Sequence, residues 1–379
     1  MCSLREMLYS AAKKIAQSSG GVFGTSVQMQ AAYLEEVGEA TDLLDRSYKQ
    51  YKCQRWLKKR STNIITDLVS IPLILYYLFK KSEKVINKAD FNVFLSFGIP
   101  DSIIPDAAKK EHGEILTVEH VGESIEREDR KIIYNLIKQY LFSPEFVLKC
   151  LIKTRAYKWA ILSYNPKAIF VSEEYSYTSS YLTYYCHRHN IKHICMMHGE
   201  KLYYIRDSFF EFDRFYIWDK YYADLFIKLK ATPEQFEVAI PPAIRLVGDY
   251  SINTDYTYYL ANEDTNAVEK IIDCLKQLKI QGKKVRVRPH PRYTSSKAIG
   301  CVKNNGILIE DLSKVSIEES LLTTKNAISL YSTVLNQAVF NNIGTVIDDV
   351  SNVEKYKKLR ELMYRFSDDK RLRRLSEIL

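Results

Sequence analysis

The sequence predicts an α/β protein of two tandem domains, each a parallel sheet covered by helices on both faces, facing a cleft and preceded by a helical extension. Three observations predict it. The chain has 379 residues, more than one ordinary core accommodates. From residue 91 short apolar runs alternate with helical stretches, the pattern of a parallel sheet with crossover helices. After IPPAIRLVGDY (240–250) the alternation begins again. The expected boundaries are 1–85 for the extension, 86–240 for the first domain and 241–379 for the second, joined near Pro241–Pro242.

Residues 1–85 lack strand alternation and read as helical. Within them KQYKCQRWLKKR (49–60) carries six basic residues and no acid, and precedes the apolar IITDLVSIPLILYYLF (64–79), which Lys80 and Lys81 close. That run is shorter than a bilayer span and contains Asp67 and Pro72, so it reads poorly as a transmembrane helix. Two readings stand: an interfacial segment on anionic lipid with Trp56 and Tyr76–Tyr77 at headgroup level, or a buried helix packed on the next domain.

In the first domain FNVFLSFG (91–98), EILTVEH (114–120), AIFVS (168–172), KHICMM (192–197) and RFYIWD (214–219) read as strands. REDRKIIYNLIKQYLF (127–142) and SSYLTYYCHRHN (179–190) read as helices between them. In the second, TYYLA, the helix NAVEKIIDCLKQLK (266–279), KKVRVR, GILIE, SIEESLL, NAISL, TVLNQAVF and TVIDD follow in order. The last stretch, VEKYKKLRELMYRFSDDKRLRRLSEIL, reads as a basic amphipathic helix or pair.

A composition 46% hydrophobic and 27% charged excludes a disordered chain. A formal charge of +9 favours an anionic partner: nucleic acid, acidic lipid or a phosphorylated substrate. No RNP-like, zinc-finger or helix-turn-helix signal supports nucleic acid. The seven cysteines form no CxxC pair and are odd in number, which fits a reducing cytoplasm, and the first residues lack the apolar core of a signal peptide.

The chemistry concentrates after strands. In VRVRPHPRYT (285–294) alternation sends Arg286 and Arg288 to one face, and Pro289 ends the strand, so His290 stands at a strand's carboxyl end between prolines, with Pro291 and Arg292 beyond. A rigid imidazole with guanidinium groups suits a phosphate oxygen. About forty residues on, NAISLYSTVLNQAVF (326–340) runs from a strand into Tyr331–Ser332–Thr333 and a helix, placing Ser332 or Thr333 at an N-cap where free amides receive anions. In AIFVSEEYSYTSS, Glu173 and Glu174 follow a strand and offer a general base. In MMHGEKLYY, His198–Gly199–Glu200 follow another strand, and His198 with Glu200 forms an alternative acid/base pair. His187, His189 and His193 cluster partly on a polar helix and turn, and no metal site is expected there.

The order His-Pro, then Ser-Thr, resembles the carboxyl-terminal half of the GT-B glycosyltransferases, namely bacterial sialyltransferases and polysialyltransferases and, more distantly, capsule and teichoic-acid transferases. The resemblance covers roughly residues 90–350. It implies two Rossmann-like domains, and a CMP phosphate contacted by His290, Ser332 and Thr333. It also implies an acidic base at Glu173 or Glu174, although Tyr175 stands where that family's motif has glycine. The His-Gly at 198–199 resembles teichoic-acid polymerases, whose donor is CDP-glycerol, and makes His198 the rival base.

The expected activity is therefore inverting, metal-independent transfer of a sugar, sialic acid from CMP-sialic acid first, to a hydroxyl of a cell-surface glycan in capsule or lipooligosaccharide synthesis. A CDP-glycerol-type or UDP-sugar transferase is the alternative, and a non-catalytic membrane-associated or nucleic-acid-binding protein the alternative of another class. The nucleotide-sugar donor is a substrate, so no cofactor is expected. The partners are that donor, a glycan acceptor and the anionic inner face of a bacterial plasma membrane, on which a cytoplasmic protein sits peripherally.

Overall fold

The computed structural model describes residues 21–85 and 94–379. The chain divides into two compact units, the first holding the residues up to His198 and Tyr203–Ala239, the second Gly199–Leu202 and Ile240–Leu379. The expected strand residues 91–93 and the helical reading of 1–20 lie outside the described residues.

Among the described residues the first unit has three helices before its sheet, α1 (Val27–Val37), α2 (Leu43–Trp56) and α3 (Arg60–Phe79). Asp42 caps α2 by accepting from the amides of Leu44 and Asp45 at 2.9 and 2.8 Å. Then follow β1 (Phe94–Phe97), α4 (Asp106–His112), β2 (Ile115–Val118), α5 (Arg127–Gln139), α6 (Pro144–Tyr164), β3 (Ala168–Val171), α7 (Ser179–His187), β4 (Lys192–Met196), β5 (Arg214–Ile217), α8 (Lys220–Lys228) and β6 (Phe236–Val238). The strands make one parallel sheet in the order β2-β1-β3-β4-β5-β6. One face packs Ile99, Phe170, Ile194 and Met196 together; another cluster gathers Leu95, Val118, Trp159 and Tyr164.

The second unit runs β7 (Thr254–Tyr259), α9 (Thr265–Ile280), β8 (Val285–Arg288), α10 (Ser296–Asn304), β9 (Leu308–Ile309), α11 (Ile317–Leu322), β10 (Thr324–Ser329), α12 (Val334–Phe340), β11 (Gly344–Ile347), α13 (Val353–Glu361) and β12 (Arg373–Arg374). Its parallel sheet has the order β12-β11-β10-β7-β8-β9. The chain first builds outward from β7 to β9, then returns to β7's other side and builds outward again. This is the doubly wound arrangement of six strands, and its order reverses between β7 and β10. Tyr258, Val287, Ile328 and Val346 on the sheet meet Val268, Ile271 and Leu275 of α9 in the core.

The α/β architecture expected from the alternation is thus present in both units. The helices α4, α6 and α8 have no counterpart among the expected elements, and one local expectation is corrected. The helix α6 carries no sequence signal of its own, because thirteen of its twenty-one residues are buried and no polar stripe marks a helical period. The helices α4 and α8 are too short to show one. The final basic stretch is not a helix throughout: after α13 it becomes the edge strand β12, where the Arg373 guanidinium donates to Asn326 and Arg374 to the Tyr356 hydroxyl.

Candidate active-site residues in the two units

In open α/β sheets, ligands bind beyond the carboxyl ends of the strands, next to the reversal of strand order. In the first unit that reversal lies between β1 and β3. The residue after β3's last position is Ser172, followed by Glu173 and Glu174; β4, beside β3 with Val171 opposite Cys195, leads into His198. Parallel pairing therefore brings two loops about 25 residues apart in sequence to one end of the sheet.

Ser172 and His198 are joined there. Ser172 Oγ lies 2.8 Å from the Met196 carbonyl oxygen and 2.5 Å from His198 Nδ1. A hydroxyl has one proton, and the carbonyl can only accept it. Ser172 Oγ therefore accepts from Nδ1–H, so the neutral ring carries its proton on Nδ1 and Nε2 is its basic nitrogen. Glu174, fully buried, sets a carboxylate oxygen 4.0 Å from the same Nδ1. The His198 side chain itself is 42% exposed. Gly199 then turns the chain at φ +65°, in the left-handed region that glycine enters without cost.

The two glutamates differ in kind. Both carboxylate oxygens of Glu173 accept from Lys153 Nζ, at 2.8 and 2.7 Å, so this group is engaged as an ion pair. Glu174 is buried to 0% exposure, out of reach of an acceptor hydroxyl arriving from solvent. A Glu174 carboxylate oxygen is the one 4.0 Å from His198 Nδ1. Glu200 accepts from Asn336 Nδ2, and Asn336 in turn accepts from Arg365 at 3.0 Å.

In the second unit the reversal between β7 and β10 brings three loops to the carboxyl end of the sheet. The loop after β8 carries His290. Its backbone amide donates to Thr294 Oγ1 at 2.7 Å, and Thr294 donates to the Ala261 carbonyl beyond β7 at 3.0 Å, which ties the two loops together. His290 Nδ1 accepts from the Arg292 amide at 3.0 Å. The neutral ring therefore holds its proton on Nε2, as a donor. Partial burial, with the Arg292 charge adding to it, holds this imidazole below the usual histidine range, which favours that neutral form. Tyr293 covers the ring at 4.4 Å between centroids, while Pro291 and Arg292 are exposed.

The loop after β10 carries Tyr331, Ser332 and Thr333. Thr333 is the residue before α12, with helical dihedrals and no side-chain cap, so the hydroxyl that caps is Ser332, whose Oγ accepts from the Val334 amide at 3.2 Å. Tyr331 packs edge-on against Tyr364 at 5.2 Å. At seven residues α12 is short, which limits the dipole expected to receive an anion there.

Arg286 and Arg288 do share a face, but it is an interior one. Arg288 Nη1 donates to Glu310 Oε2 at 2.8 Å and to the Val315 carbonyl at 3.1 Å. Arg286 donates to Thr257, Thr323 and the Ser320 carbonyl at 2.7–2.8 Å, and its Nε lies 3.0 Å from Glu310 Oε1. Both are buried, and both guanidinium groups are occupied by the fold. The expected phosphate contact is corrected for them: Glu310, just past β9 on the neighbouring strand, absorbs their charge.

Three residues that contribute at these strand ends, Lys153 from within α6, have no local signature in the sequence or only a weak one. Ser172 and Lys153 matter only through the β3–β4 register and the course of α6, which no local pattern encodes. Glu263, after β7 in TYYLANED, accepts from the Ala261 amide at 2.6 Å, and its burial raises its carboxyl above the ordinary range. A carboxylate shortly past a strand at the reversal is the available signal. The clustered histidines are held separately: His193 lies buried between Tyr157 and Thr183, His187 bonds Asp213, and His189 packs on Tyr185.

No family model and no curated protein matches the chain. Among solved structures it is similar to a variant of the wall teichoic acid polymerase TagF soaked with CDPG, at 15% identity and TM-score 0.43 over 84% of this chain and 88% of that one. It is also similar to UDP-N-acetylglucosamine 2-epimerase from Rickettsia bellii, at 13% identity and TM-score 0.41 over 67% and 78%. A third is sucrose-phosphate synthase from Thermosynechococcus elongatus, at 10% identity and TM-score 0.35 over 72% and 71%. At these identities and scores none of the likenesses assigns the chain to a family or transfers an activity to it.

Proposed function

We propose that this chain is an inverting glycosyltransferase that uses a nucleotide-activated donor, with His198 as the base and His290 as a donor to the leaving phosphate. One observation carries the reading: the two histidines are held in opposite tautomers. Each Nδ1 is engaged by its own loop, through Ser172 in one case and the Arg292 amide in the other. The basic nitrogen of His198 is therefore Nε2, which can take a proton, whereas His290 has an Nε2–H, which can give a hydrogen bond or a proton.

In the proposed reaction the acceptor hydroxyl passes its proton to His198 Nε2 as its oxygen attacks the anomeric carbon. The bond from that carbon to the donor's phosphate oxygen breaks, and the electron pair leaves with the nucleotide. His290 Nε2–H meets the charge gathering on that phosphate, and no tightly bound metal is invoked. A preorganised donor of this kind contributes on the order of 3 kcal/mol to the barrier, so loss of His290 slows turnover about a hundredfold.

The motif order ranks CMP-sialic acid first among donors. A second reading, a CDP-linked alcohol such as CDP-glycerol, is favoured by one observation: the exposed base is a histidine, with Glu173 paired to Lys153 and Glu174 buried. The acceptor is a glycan hydroxyl on the cytoplasmic side in either case. The test is nucleotide release by the purified full chain with CMP-sialic acid, CDP-glycerol and UDP-N-acetylglucosamine, for wild type and His198→Ala. Turnover of one donor that His198→Ala abolishes supports the reading and names the donor. Full activity in His198→Ala, or release of nucleotide from none of the three, overturns it.

A further inference from the structure

We infer that α3 is a membrane-docking helix that lies in the plane of an anionic bilayer surface and inserts its exposed face into the headgroup layer. Independently of the glycosyltransferase reading, this rests on how the helix distributes its residues.

A surface helix of a globular protein buries its apolar stripe and shows its polar one to water. In α3 the arrangement is reversed. Ile64, Ile65, Leu68, Val69, Leu75 and Phe79 recur at intervals of one, three, four or six along one side, and each is between 45% and 79% exposed. Tyr76, 57% exposed, and Pro72 lie on the same side. The protein-facing side carries polar groups along its first half, with the buried Ile74 beyond them. Asn63 donates to the Arg55 carbonyl at 2.9 Å, Thr66 to Glu145 at 3.1 Å, and Asp67 receives Arg55 at 2.5 Å. Toward the far end, the fully buried Arg155 donates to the carbonyls of Tyr77 and Lys81 at 3.0 and 3.2 Å. Phe142, 92% exposed, lines the same surface recess as Asn63 near the helix's start.

The helix is 20 residues long and has a mean hydropathy of 1.5 in its most apolar window, enough by length and composition to cross a bilayer. Crossing is opposed by its inner side, because hydrocarbon would then surround Asn63, Asp67 and Ser70, whose partners belong to α2, α6 and α3 itself. Pinned along that side, α3 offers only its outer face. An apolar patch of this extent on a soluble surface marks a partner.

Charge selects which partner. Lys59 and Arg60 at one end of α3 and Lys81 and Lys84 beyond the other are exposed. A second copy of the chain laid on this face, parallel or antiparallel, sets these cations against the same cations. An anionic bilayer sets them against lipid phosphates while the side chains between them enter the interface.

Flotation of the intact protein with phosphatidylcholine vesicles, with and without about 30 mol% phosphatidylglycerol, tests this. Wild type should float with the anionic vesicles and about tenfold less with the neutral ones. Leu68→Glu/Leu75→Glu, both changes on the solvent side, should weaken anionic-vesicle partition roughly a hundredfold with an unchanged melting temperature. Lys59→Ser/Arg60→Ser should weaken it less and reduce its salt sensitivity. Failure of wild type to float, or equal flotation of the double glutamate variant, overturns the inference. So does a dimer in light scattering that this variant dissociates while no vesicle binds.

Discussion

Ser172 Oγ stands 2.5 Å from His198 Nδ1 while giving its own proton to the Met196 carbonyl at 2.8 Å, and that pair of contacts fixes which nitrogen of the imidazole is basic. Ser172 is a positioning residue here: it acts on the reaction through the ring it holds. Ser172→Ala removes the acceptor for Nδ1–H and loosens the ring. Turnover should fall about tenfold with the donor KM unchanged, and Ser172→Thr should restore part of it. Equal kcat in wild type and Ser172→Ala contradicts the assignment of the tautomer.

The base is separable from its neighbours. His198→Ala should lower kcat at least about a hundredfold, whereas Glu173→Gln, which only loosens the Lys153 pair, should change it less than about threefold. Single-turnover rates of the two variants decide this. A large loss in Glu173→Gln with a small one in His198→Ala would return the role to the carboxylate.

The arginines of β8 are expected to hold the fold. Arg288→Met leaves Glu310 with one remaining guanidinium in a buried site, which should destabilise the second unit by roughly 3–5 kcal/mol. A thermal melt measures it. Nucleotide affinity below the melt should stay within about threefold of wild type, and loss of affinity without loss of stability would restore a phosphate-binding role.

His193 makes the first unit acid-sensitive. Burial pushes its pKa down to about 3, so between that value and the ordinary histidine range near 6.5 the unfolded chain binds a proton that the folded one refuses. Its contribution to stability should therefore be constant above about pH 6.5 and fall as pH drops below it. Urea titrations at neutral and mildly acid pH read this directly. His193→Gln should flatten the slope in that window, and an unchanged slope assigns the sensitivity to other groups.

Much of the fold is legible in the amino-acid order. The repeated alternation announces two parallel sheets, and the proline after VRVR places His290 at a strand end. What stays hidden depends on side chains meeting across strands. Period-two alternation puts Arg286 and Arg288 on one face but cannot say that Glu310, well beyond them in the chain, waits there. Glu173 and Glu174 are adjacent and chemically alike in sequence; only the courses of α6 and β4 make one an ion pair and bury the other. The helix α6 is silent because burial nearly all round erases the stripe by which helices are recognised. In α3 the stripe is visible, while which side faces the protein is not.

The central claim is that His290 meets the phosphate of an activated donor, and calorimetric titration of CMP, CDP and UDP into wild type and His290→Ala tests it most directly. One of these nucleotides should bind wild type and bind His290→Ala at least about tenfold more weakly, with both proteins melting alike. Equal affinity of the two proteins for every nucleotide that binds would contradict it.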